Sequence, residues 1–78
     1  MLQPNKYMSV ELNIINISAE IIRILLSNGA MKYNSVLNLV IRKLGESSKY
    51  EFQNALSFLY LLNKIYYDNE NDLLELIS

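Results

Sequence analysis

The sequence predicts an α+β fold, mostly helical: a winged helix-turn-helix of three helices followed by a C-terminal β-hairpin. Three observations carry this. Residues 52–77 read as one long helix running straight into a two-stranded hairpin. Two apolar-periodic segments precede it, ending at Asn28-Gly29 and Leu44-Gly45. The connections are short, and no linker, repeat or low-complexity stretch interrupts them, so residues 1–78 read as a single domain.

Residues 1–9 hold the single proline, Pro4, and no clear period, and read as a short extended arm. In the first helical segment Val10, Ile14, Ile17, Ile21 and Ile24 recur at helical spacing, with Ile22 and Leu25 alongside. Ser9 or Ser18 suits its N-cap, which puts Glu11 or Glu20 in the first turn, where the helix dipole favours an anion. We place the start near Asn13. Asn28 or Gly29 takes the left-handed conformation that ends it.

Ala30-Met31-Lys32-Tyr33 alternates and fits a small strand pairing with the wing. Asn34 or Ser35 caps a second helix over 36–44. Leu37, Val40, Ile41 and Leu44 form its inner stripe, while Asn38, Arg42 and Lys43 face out. Gly45 ends it. Ser48, with Glu51 three residues on, has the capping-box pattern for the third helix.

On that third helix Phe52, Ala55, Leu56, Leu59 and Leu62 share one face, with Phe58 at its edge. Opposite lie Gln53, Ser57, Tyr60, Leu61 and Lys64, with Tyr50 and Asn54 beside them. Two tyrosines and a leucine stand where a solvated face carries Lys and Glu. Two readings stay open: the tyrosines lean back onto the core edge and Leu61 packs under the wing, or the face is a contact surface. The candidate partner-binding residues are Tyr50, Gln53, Ser57, Tyr60 and Leu61.

Lys64-Ile65-Tyr66-Tyr67 suits a pleated strand. The cluster Asp68-Asn69-Glu70-Asn71-Asp72 is a turn, because Asn and Asp tolerate left-handed backbone and bond their own main chain. Residues 73–77 return as a second strand. Ile65 shares a face with Tyr67, and Leu74 with Leu76, but the register between the pairs stays open.

Composition then narrows the function. A chain of 78 residues buries only about 60–65% of its unfolded surface. Yet 51% of its residues are apolar or aromatic. Some apolar surface therefore stays exposed, and contiguous exposed apolar surface marks a contact site. The chain has no Cys and no His. Thiolate and imidazole catalysis and zinc sites of the common kind are excluded. The acidic turn lacks the Gly and the distal Glu of a calcium loop, so no metal site is expected. With no nucleophile-and-base pattern and no glycine-rich phosphate loop, we expect neither an enzyme nor a cofactor. No apolar run approaches the roughly 18 residues of a membrane span, and no signal peptide is visible. A cytoplasmic protein is expected.

DNA binding is the rival suggested by the fold class. Gln53, Asn54 and Ser57 are able to reach base edges. However, the seven basic residues are spread along the chain against eight acidic ones and make no basic patch. The outer face offers only Lys49 and Lys64, at its two ends, and the wing tip carries Asp68, Glu70 and Asp72. Fold alone does not give function, and the charge pattern favours protein–protein contact.

The arm P-N-K-Y-M (residues 4–8), the Ile-rich first helix and, above all, F-Q-N-A-L-S-F-L-Y-L-L-N-K-I-Y-Y-D (residues 52–68) resemble the small middle components of bacterial ABC three-component systems of the Lamassu-like anti-phage group. The likeness is one of hydrophobic and aromatic positions over nearly the whole chain, with no catalytic signature. It implies a winged-helix adaptor that bridges or regulates an SMC- or RecN-like ABC ATPase and an effector, with any DNA contact made weakly or through the complex. A small transcriptional regulator is the alternative. Self-association into a homodimer through the same apolar surface is a third reading.

Overall fold

The computed structural model describes residues 4–77, with side chains from Leu12 onward. Three helices precede a small antiparallel sheet, in the winged-helix-like α+β order the sequence predicts. Helix α1 spans Pro4–Asn28, β1 Met31–Lys32 and α2 Tyr33–Leu44. A 3-10 turn over Glu46–Ser48 leads into α3, Lys49–Leu61. Strands β2, Ile65–Asp68, and β3, Leu73–Leu76, form the wing.

Helix α1 starts earlier than the sequence reading placed it. Backbone read as an extended arm is helical from Pro4, well before Asn13. Proline suits a first helical turn, because its fixed φ is helical and its missing N–H is one that no helical carbonyl would accept. Residues 1–3 lie outside the described part. The helix ends at Gly29, whose φ of 80° closes the cap with an N–H bond to the Leu25 carbonyl at 2.8 Å.

Helix α2 begins at Tyr33, ahead of Asn34 and Ser35, and its N-cap Lys32 makes no side-chain cap bond. Strand pairing of Met31–Lys32 fixes the entry to α2. Its inner face is centred on Val36 and Val40, with Leu37 and Leu39 packed beside them. Leu44, placed in the inner stripe by spacing, is exposed in the last turn, where the chain leaves the core. The capping box does not form either. The 3-10 turn holds Ser48 at helical φ and ψ, so its hydroxyl turns back and donates to the Gly45 carbonyl at 2.6 Å. Glu51 accepts from the Asn54 amide instead.

The core is one cluster. Ile17, Ile21, Ile24 and Leu25 of α1 meet Val36 and Val40 of α2, Phe52, Ala55, Leu56 and Leu59 of α3, and Ile65 and Leu74 of the sheet. Full burial of each large side chain contributes roughly 1.5–3 kcal/mol. Small side chains mark the approach of α1 to α3. Ser18 is buried and donates weakly to the Ala55 carbonyl at 3.5 Å. Leu62, counted with the core face by spacing, is half exposed, because it caps the helix just where the chain turns away.

That turn sets the wing. Asn63 takes φ 62°, its N–H bonds the Tyr60 carbonyl at 2.9 Å, and the Lys64 N–H bonds the Leu59 carbonyl at 3.0 Å. This is the paired bonding of a Schellman cap. The sheet order is β1-β3-β2, with β3 in the centre. Ile65 faces Leu76 and Tyr67 faces Leu74, which settles the register. At the tip Asp68 accepts from the Glu70 and Asn71 backbone N–H groups and from the Asn71 amide. Those bonds hold its carboxyl below the ordinary carboxylate range.

Among the described residues Glu20 is the buried acid, only 8% exposed. A hydrogen-bonded ion pair with Arg23 lowers its pKa, against the opposing effect of burial, and the nearby Lys43 charge adds to the lowering. A depressed folded pKa stabilises the fold above the ordinary value of 4.5, and that contribution is lost as pH falls through the lower folded value. In denaturant titrations the stability advantage of wild type over Glu20→Gln is therefore expected at neutral pH. It should close as the pH is taken well below 4.5; a pH-independent difference would overturn the assignment.

Candidate functional interface

Tyr50, Gln53, Ser57, Tyr60 and Leu61 all lie on α3. Helical geometry places them within a sector about 100° wide, opposite the buried stripe. Their surroundings differ. Leu61 is 85% exposed and does not pack under the wing, which excludes that half of the core-edge reading. Helix α3 ends at Leu61, and the reversal at Asn63 carries β2 back along the buried side. Tyr50 is 74% exposed, with the Lys49 ammonium 5.5 Å from its ring centre. Lys49 is itself tied to Glu46. Ser57 is open to solvent.

Gln53 and Tyr60 lie at the wing-side border of this sector, where they line a groove of about 420 Å³ with Tyr33, Asn34, Tyr67 and Asp72. Three elements converge there: the start of α2, the flank of α3 and the inner face of the wing. Tyr33 anchors it. Its ring meets Phe52 edge-on at 5.4 Å and Tyr67 at 6.4 Å, and its hydroxyl donates to Gln53 Oε1 at 2.9 Å. The Tyr67 hydroxyl donates to Asp72 Oδ1. Two of the three phenols thus have partners within the groove, and the rings are held in place.

The phenols of Tyr60 and Tyr67 stay protonated at neutral pH. Burial raises the pKa of Tyr60, and the Tyr33 phenol adds to it. The bond to Asp72 raises that of Tyr67. The groove therefore offers ring faces, two amides and one carboxylate, the last already engaged by the Tyr67 hydroxyl. Chemically it suits holding another molecule. Rigid aromatic side chains with tethered hydroxyls give large contact area with little rotamer freedom left to lose.

Tyr33, Asn34, Tyr67 and Asp72 were missed as site residues. Tyr33 reads as the last residue of a strand, and the hairpin face that turns Tyr67 towards α3 is set by packing on the distant helices. Tyrosine recurrence at 33, 60 and 67 was the available signal.

Among the described residues no helix is long and apolar enough to cross a membrane. A family model described as ABC-three component (ABC-3C) system Middle Component 8 matches residues 29–77. The match runs from the Gly29 cap through β3, and so takes in the whole groove and leaves α1 outside. No match is found among curated proteins or solved structures.

Proposed function

The chain belongs to the ABC-three component (ABC-3C) system Middle Component 8 family, and from that premise we propose that it is a non-enzymatic adaptor. A middle component of a multi-subunit system has protein partners. The reading extends this to a larger partner: an SMC- or RecN-like ABC ATPase, an effector, or both, in a Lamassu-like anti-phage assembly. The docking face is the outer side of α3 from Tyr50 to Leu61, continued into the tyrosine groove.

The observation that supports this most is the exposure of Leu61 and Tyr50 beside preorganised Tyr33 and Tyr67. An apolar face this open on so small a domain is stabilised by being covered. The regulator alternative is weakened by charge. Asp68, Glu70 and Asp72 crowd the wing tip, and one of the two lysines flanking α3, Lys49, already pairs with Glu46. Duplex affinity at physiological salt with a steep salt slope would restore that alternative.

Reconstitution with the other two components provides the test. Tyr60→Ala is expected to weaken complex formation by about tenfold or more, near 1.4 kcal/mol, as truncated interface anchors do. Calorimetric titration showing a loss below about 1 kcal/mol would sink the assignment of this face.

A further inference from the structure

Seven Lys and Arg residues spread along a sequence suggest no basic patch, but the fold gathers three of them. Arg23 of α1 and Arg42 and Lys43 of α2 rim a groove of about 400 Å³, whose remaining lining is Ile24, Asn28 and Leu39. Ile24 belongs to the core and Leu39 packs against it, so these two supply an apolar wall. Arg23 is engaged by Glu20. Arg42 and Lys43 are exposed and form no ion pair among the described residues. Counting Glu20, the groove keeps a surplus of two positive charges.

We propose that this groove docks an acidic segment of a protein partner, with an apolar side chain seated against Ile24 and Leu39 and carboxylates on Arg42 and Lys43. Charge complementarity sets the sign of the ligand. The apolar wall decides its class, since a phosphate backbone has no group to place there. A net surplus of two positive charges neutralises only about two phosphates, too few for duplex binding at physiological salt. On α2, Arg42 lies about 180° around the axis from Tyr33. The basic groove and the tyrosine groove therefore use opposite sides of that helix and can be filled together. The inference goes beyond the adaptor reading and does not rest on it, because the charge and shape of this groove hold whatever docks on α3.

The probe is a labelled amphipathic peptide with Leu at helical spacing and Glu elsewhere, compared with the same peptide carrying Lys for Glu. Amide shifts of the full chain locate the binding. The acidic peptide is expected to move the amides of residues 23–28 and 39–43 and to weaken as salt is raised. R42E/K43E should bind it about tenfold or more weakly and bind the Lys peptide instead, a gain that shows the variant is folded even though loss of the Lys43 charge near Glu20 lowers its melt. The proposal is overturned if the acidic peptide leaves those amides unmoved or if R42E/K43E binds it unchanged. It is equally overturned if a short DNA duplex occupies the same amides more tightly than the peptide.

Discussion

Truncating Phe52 to alanine is expected to cost about 3–5 kcal/mol, the range for removing a buried aromatic side chain from a core. Phe52 is among the largest fully buried side chains, and it faces Tyr33 edge-on at 5.4 Å. The loss combines lost burial, a cavity between α3 and the other elements, and an aromatic contact. A small domain holds roughly 5–15 kcal/mol in total, so the loss removes a large share of its stability. Urea denaturation followed by circular dichroism measures this directly. A midpoint shift equivalent to less than about 1 kcal/mol would show that the core is organised differently. Tyr33 would also lose the ring that positions it, so the groove should loosen in the fraction that stays folded.

Leu74→Ala is the second large effect, with an expected cost of about 2–5 kcal/mol. Leu74 is fully buried on the central strand. It lies opposite Met31 on one side and Tyr67 on the other. Its removal therefore weakens both strand pairings and the contact of the sheet with the helical core at once. Hydrogen exchange should report this as selective loss of protection at Met31, Tyr67 and their neighbours, beyond the global change. If instead protection falls evenly over α1, α2 and α3 with β1 and β3 unaltered relative to them, the role given to the central strand is wrong.

Both residues were legible in the sequence to different degrees. Phe52 falls on a helical stripe with Ala55, Leu56 and Leu59, and local periodicity suffices to bury all four. Leu74 shares a face with Leu76 by strand alternation, but which face is inward depends on packing against the distant helices, which is non-local. The same division explains the other outcomes. The small strand before α2 and the hairpin came from local pattern. Ser48 failed as a capping box because a 3-10 turn, invisible in residue types, had already wound its backbone. Residues 1–9 read as an extended arm, whereas the helix begins at Pro4. The tyrosine groove draws on residues 33, 53, 60 and 67, and the basic groove on residues 23, 42 and 43. No window of a few turns contains either set.

The junction at Asn63 has a mechanical consequence. Only three residues, Leu62, Asn63 and Lys64, separate α3 from β2, and each donates its N–H to a carbonyl of the preceding helix. The Ile77 N–H closes on the Lys64 carbonyl from the far strand. Four backbone bonds across a three-residue junction thus couple α3 to the β2–β3 hairpin, so displacing one is expected to carry the other with it.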